Sequence, residues 1–216
     1  MQDLCMVTGM VLSQIPVGEY DRRVCILTKE RGKISAFAKG ARRPGSRFMA
    51  ATNPFSFGKF KLYEGKNSYT IAEAEISKYF EDLRKDYIGA YYGMYFLEIA
   101  DYYTRENNDE KDMLKLLYQS FRALLHPSIE NDLVRCIFEL KTLVVNGEYP
   151  GFLPDAGLRE STEYAMRFIE TAAVEKLYTF TVSKEVLEEL LAVSCRYRKR
   201  FMDKQFKSLE ILESLC

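Results

Sequence analysis

The spacing of apolar residues changes character near Phe80, and that change limits what this chain can fold into. Before it, apolar and polar positions alternate in short runs, as in strands that bury one face; after it they recur three and four positions apart, as in helices that bury one stripe. LCMVTGMVLSQ (4–14), RRVCILT (22–28), KISAFAKG (33–40), FSFGKFKLYEG (55–65) and SYTIAEAEIS (68–77) read as five strands, with ERG and GKN as turns. In the last run Tyr69, Ile71 and Ile76 do not keep one parity, which predicts a bulge or a barrel corner. Five antiparallel strands in about eighty residues suit an OB-fold barrel. The segments 82–106, 112–125, 131–147 and 182–201 read as helices; Met113, Leu114, Leu117, Phe121, Leu124 and Leu125 line one face of the second. Asn146-Gly147 reads as a helix stop and 146–161, with two prolines and three glycines, as a long loop. The expected fold is therefore α+β: a five-stranded antiparallel OB-fold barrel over 1–80, then an all-helical domain over 81–216.

A chain of 216 residues that is 47% hydrophobic has material for a core. Its longest apolar stretch, Tyr87 to Ala100, contains Glu98 and is shorter than the roughly 20 residues a bilayer crossing needs, so it reads as a buried helix with no membrane partner. The first sixteen residues lack the cationic start and cleavage site of a secretory signal, which points to the cytoplasm. Five cysteines, at 5, 25, 136, 195 and 216, form no C-x-x-C pair, and the one histidine, His126, precedes a proline. Free thiols, no metal and no cofactor are expected. With no P-loop and no G-x-S-x-G elbow, enzymatic chemistry is the weakest class of function.

Charge carries more information. The chain has 31 Lys/Arg and 31 Asp/Glu, but residues 1–80 hold 13 against 7 and the remainder 18 against 24, a net +6 followed by a net −6. Such a split steers a polyanion to one end and leaves the other for proteins. The cations concentrate in KGARRPGSRF (39–48), where Lys39, Arg42, Arg43 and Arg47 meet no acidic residue. A solvated connection between strands is the plain reading. Phosphate binding is the sharper one: guanidinium groups fork onto phosphate oxygens, and Gly40 and Gly45 let a backbone come close. Lys29, Arg31 and Lys33, in the preceding turn, are expected near the loop, and Lys59, Lys61 and Lys66 extend the charge. Phe48, Phe55, Phe57, Tyr63 and Tyr69 interleave with these cations, either filling the barrel or stacking on bases. A second cluster, CRYRKRFMDKQFK, offers Arg196, Arg198, Lys199 and Arg200 as a patch for nucleic acid or an acidic protein tail, or simply as the cationic end of a helix.

These motifs carry a resemblance. The run from Val17 to Glu75, with T-x-E-x-G-K at Thr28 to Lys33 and the A-K-G-A-R-R-x-x-S-R-F loop at Ala38 to Phe48, resembles the N-terminal domain of the bacterial RecO family of DNA repair proteins. Phe168 to Leu215, with K-S-L-E-x-L at Lys207 to Leu212, is similar to that family's closing helices. The resemblance implies an OB-fold domain followed by helices, no enzymatic turnover, binding of single- and double-stranded DNA, strand annealing, and work with RecR to displace single-strand binding protein so that RecA can load. It also implies recognition of the C-terminal tail of that binding protein, and a cytoplasmic location at the nucleoid during repair. DNA contacts carry over to Lys39, Arg42, Arg43 and Arg47, with Arg31 and Lys33 as neighbours. Many members have a four-cysteine zinc module after a G-Y-x-P stretch; the matching place here has no cysteine, so a shortened, metal-free insertion near 147–162 is expected. A protein-protein adaptor built on an OB barrel and an RNA-binding barrel are the alternatives.

Overall fold

Alternation in the first eighty residues becomes β1 (Leu4–Val17), β2 (Asp21–Thr28), β3 (Gly32–Ala38), β4 (Phe57–Glu64) and β5 (Tyr69–Lys78), with the short helix α1 (Phe48–Ala51) between β3 and β4. This is a computed structural model that describes residues 4–66, 68–151 and 157–215; Asn67 of the GKN turn, residues 152–156 of the expected insertion and Cys216 lie outside the described residues. The strands close into a barrel in the order β1-β2-β3-β5-β4. Every neighbouring pair is antiparallel except β3 and β5, which run parallel at Ala36↔Tyr69 and Phe37↔Thr70. The expectation of five antiparallel strands is amended at this one seam, for a geometric reason: an odd number of strands in a closed ring cannot alternate direction all the way round.

β1 serves two neighbours. Its first half, Leu4 to Met10, pairs with β4, and its second, Gly9 to Val17, with β2. Gly9 stands on both ladders, and a Cβ there would lie 2.4 Å from the Leu27 carbonyl oxygen, so only glycine passes the crossing. The interior is filled by Val7, Val11, Val24, Ile26, Ile34, Phe60, Leu62 and Ile71, closed at one end by Ala41 and Phe48. Side chains of this size each contribute about 1.5–3 kcal/mol when fully removed from water. The parity change in β5 is a bulge: Lys61 faces Glu73 and Leu62 faces Ile71, which leaves Ala72 without an opposite number.

The helices are α2 (Glu81–Lys85), α3 (Tyr87–Tyr103), α4 (Lys111–Leu124), α5 (Asn131–Val145), α6 (Glu160–Thr171), α7 (Lys184–Phe201) and α8 (Lys207–Leu215). Among the described residues no helix is long and apolar enough to cross a membrane. The chain divides into two compact units, Met1–Arg84 with Leu97–Leu114, and Lys85–Phe96 with Lys115–Cys216, rather than at a single cut after residue 80. Leu97–Leu114 joins the barrel's unit because its backbone pairs with the β2–β3 turn: Gly32 bridges Glu106, the Lys33 amide donates to the Arg105 carbonyl at 3.0 Å, and the Asn107 amide to the Arg31 carbonyl at 2.9 Å.

In the second unit α5 is buried on nearly all sides, from Leu133 to Leu143, and ends at Asn146 and Gly147 as its sequence predicts. Phe138 stacks on Phe96 at 4.2 Å between ring centroids. Two charged residues on α5 survive burial because each is fully engaged. The Lys141 ammonium donates to the carbonyls of Ile169, Glu170 and Ala172 at 2.8–3.1 Å, satisfying the free end of α6. Glu139, 2% exposed, accepts from the Tyr95 hydroxyl at 2.5 Å, from Ser194, and from Arg135 at 3.0 Å.

Candidate nucleic-acid interface

The segment from Lys39 to Arg47 folds as a loop with an inside and an outside. Ala38, Ala41 and Phe48 are buried and anchor it on the barrel, while Lys39, Arg42, Arg43 and Arg47 between them are exposed. Gly40 turns the chain with φ +66, a conformation other residues adopt only under strain, and its amide donates to the Asp21 carboxylate at 2.7 Å. The Arg42 amide donates to the Tyr20 carbonyl at 2.8 Å, and the Arg42 guanidinium to the Gly18 carbonyl at 3.2 Å. Beneath the loop, Arg22 donates to the Met49 carbonyl, the Thr52 hydroxyl and the Asn53 side chain at 2.8–3.0 Å, fixing α1. Burial lowers the Arg22 pKa, and the positive charge of Arg42 lowers it further. The loop is thus held by backbone and by half-buried groups; Arg42 and Arg47 each give part of their guanidinium to a main-chain carbonyl, which leaves their charge unneutralised.

None of the ion pairs among the described residues involves Lys39, Arg42, Arg43 or Arg47. Arg43 lies over the Tyr20 ring at 5.0 Å and Arg47 over the Phe48 ring at 4.9 Å. Arg47 also donates to the Ala72 carbonyl at 2.7 Å, at the residue that the β5 bulge leaves unpaired. It reaches from there toward Lys59 and Lys61, with which it lines a cavity of about 270 Å³ that also holds Glu73 and Glu75. Lys61 pairs with Glu73 at 3.5 Å, so this side face is mixed in charge where the loop is cationic.

Arg31 and Lys33 are not beside the loop. The β2–β3 hairpin puts Thr28↔Gly32 at one end and Arg22↔Ala38 at the other, roughly 20 Å away at the rise of an extended strand. Both are also committed. Arg31 pairs with Glu64 at 3.1 Å and donates to the Tyr69 hydroxyl at 3.4 Å; burial works against its charge, but Tyr69 and Glu64 together raise its pKa. Lys33 donates to the Asp101 carbonyl at 2.5 Å and pairs with its carboxylate at 3.0 Å. The sequence missed these partners because Glu64 and Asp101 are distant along the chain.

Of the aromatic residues interleaved with the cations, Phe48, Phe55 and Tyr69 are buried, Phe57 is half-buried, and Tyr63 is exposed on the β1–β4 face. The ring that does share the loop's surface is Tyr20, in the β1–β2 turn and 46% exposed. Its distance from the arginines in sequence hid it; the turn signal G-E-Y between two strands is what would have found it. In the second cluster, Arg198 turns inward to Glu139 at 3.7 Å and Glu213 at 3.3 Å. Arg196, Lys199 and Arg200 are on the exposed side of α7, with Arg200 over the Phe201 ring at 5.3 Å. The expected four-cation patch loses Arg198 to the buried carboxylate.

A family profile described as "Recombination protein O N terminal" matches residues 1–80, and one described as "Recombination protein O C terminal" matches residues 84–156. The chain is 29% identical to the DNA repair protein RecO of Acetivibrio thermocellus over 240 positions, covering 96% of each chain. It is 32% identical to that of Alkaliphilus metalliredigens, over 76% of this chain and 67% of the relative, and 35% identical to that of Heliobacterium modesticaldum, over 69% and 52%.

Proposed function

This chain belongs to the RecO family of DNA repair proteins, and from that premise we propose that it is a DNA-binding recombination mediator and strand-annealing protein whose seat for the DNA backbone is the loop Lys39–Arg47. The observation that carries the reading is the set of four exposed cations held on a braced loop with no carboxylate paired to them. A phosphate backbone supplies the missing counter-charge, and arginine matches its paired oxygens. Annealing asks for no bond-making group: two strands whose phosphates are partly neutralised on one surface repel each other less and meet more often. On this reading the protein acts in the cytoplasm, at the nucleoid during repair, together with RecR and single-strand binding protein, so that RecA can load.

A second observation favours a protein-tail site in the helical unit. Between the end of α7 and α8 lies a cavity of about 650 Å³ with Lys199 and Lys204 at its rim and Met202, Phe206 and Leu209 at its floor. Cations above an apolar floor suit the acidic C-terminal tail of single-strand binding protein. Asp203, Glu210 and Glu213 also line it and balance its cations in number, so the attraction falls to Lys199 and Lys204 at the rim, with Arg198 already turned to Glu139 and Glu213.

The test is affinity for a single-stranded oligonucleotide across a salt series, with Arg42→Ala/Arg43→Ala beside the unaltered protein. The seat predicts weaker binding and a shallower salt dependence in the double variant. Unchanged affinity removes the loop from the role.

A further inference from the structure

We propose that Tyr20 is a base-stacking platform, and that it gives the cationic loop its preference for single-stranded over double-stranded DNA. The inference rests on the loop being the backbone seat and adds the group that reads whether bases are free.

Three features of the β1–β2 turn support it. Tyr20 is among the exposed large side chains and lies outside the barrel core, so its ring is not needed for packing. Its carbonyl accepts the Arg42 amide at 2.8 Å and the next residue, Asp21, accepts the Gly40 amide at 2.7 Å, so turn and loop form one braced body. The Arg43 guanidinium lies over the ring, 5.0 Å from its centroid, which fixes the ring's orientation and places a phosphate-binding cation against it. The Arg43 side chain runs beside the turn at Gly40, its Cδ at ordinary contact distance, 3.6 Å, from where a Cβ there would stand.

An aromatic ring set beside a row of cations discriminates by geometry. Phosphates are offered by single strands and duplexes alike, so Lys39, Arg42, Arg43 and Arg47 do not distinguish them. A base can stack on a protein ring only when its own face is free, which is true of a single strand and not of a paired, stacked duplex. The four cations set the overall affinity and Tyr20 sets the difference between the two forms. Of the other exposed large aromatic side chains, Tyr63 sits on the β1–β4 face, opposite Leu4, and Tyr87 and Tyr164 belong to the helical unit.

The experiment titrates full-length Tyr20→Ala, Tyr20→Leu, Tyr20→Phe and Arg42→Ala/Arg43→Ala proteins with three labelled probes of equal length: a single strand, the matching duplex, and a single strand carrying abasic sites. Tyr20→Ala and Tyr20→Leu are expected to weaken single-strand binding by roughly 5- to 150-fold while leaving the duplex and abasic probes within about twofold. Tyr20→Phe should bind all three as the unaltered protein does. The leucine variant keeps apolar bulk in the turn, so agreement between it and alanine separates loss of stacking from loss of the turn's shape. Equal weakening on all three probes, no weakening on any, or phenylalanine behaving like alanine each overturns the proposal. The arginine double variant tells the two readings apart. If it weakens all probes while Tyr20→Ala is silent, the backbone seat stands and the platform falls; if it binds all probes normally, the seat falls and the platform with it.

Discussion

The two ends of the β2–β3 hairpin look alike in sequence, and the structure uses them in opposite ways. At the turn end, Arg31 and Lys33 are each matched to a carboxylate, Glu64 and Asp101, and the backbone is capped by residues 105–107. At the loop end, Lys39, Arg42, Arg43 and Arg47 are exposed, and the one nearby carboxylate whose bond is seen, that of Asp21, accepts the backbone amide of Gly40. The same contrast recurs within α7, where Arg198 goes inward to Glu139 and Glu213 while Lys199 and Arg200 stay outside. What separates an exposed cation with no carboxylate partner from a structural one is thus the location of the nearest carboxylate in space, which a local count of charges does not report.

That contrast is open to direct attack. The largest effect is expected inside the helical unit: Glu139→Ala leaves Arg135 and Arg198 without their buried counter-charge and should cost about 3–5 kcal/mol, read by urea denaturation. DNA affinity of the folded fraction should not follow it. Next, Arg42→Ala/Arg43→Ala should lower the salt slope for single-stranded DNA by about 1.4, two contacts at roughly 0.7 each, with stability changed by no more than about 0.5 kcal/mol. Lys33→Ala should do the reverse, lowering stability by up to about 1 kcal/mol and changing DNA affinity less than twofold, since its charge is half-exposed and already paired. Should Lys33→Ala weaken DNA binding as much as the arginine pair does, the distinction between the two ends is wrong.

The smallest effect concerns Cys25, which lies beside Asp101 at 3.6 Å. Burial first, and then the Asp101 charge, push its thiol up to about 12, only partly offset by Lys33. A native value above the unfolded one means that the neutral thiol favours the fold at ordinary pH, a contribution lost as pH climbs from about 9 toward 12. Asp101→Asn should lower that pKa and speed alkylation of Cys25 by iodoacetamide at pH 9, while the unaltered protein reacts slowly.

Period and turn chemistry made the barrel legible. LCMVTGMVLSQ, RRVCILT and KISAFAKG alternate because one face of each fills the interior, and the lapse of parity in SYTIAEAEIS marked the bulge that frees Ala72. The parallel seam was not legible from local pattern, since strand direction is a property of closure. The loop cations could be read because they sit within nine residues and their exposure follows the anchors Ala41 and Phe48. Tyr20, Glu64 and Asp101 could not, because each meets its partner across 20 to 70 positions of chain. For the same reason Arg198 could not be told from Lys199: the deciding residue, Glu139, lies on α5.

The double service of β1 has a consequence for biosynthesis. Leu4 to Met10 leave the ribosome some fifty residues ahead of their partners, Phe57 to Tyr63, so this half of β1 spends seconds with one edge unsatisfied at ordinary translation speeds. The ring cannot shut until β5, which lies between β3 and β4, has been made as well. Truncated chains ending before β5 should therefore be sticky, chaperone-dependent species rather than small working barrels.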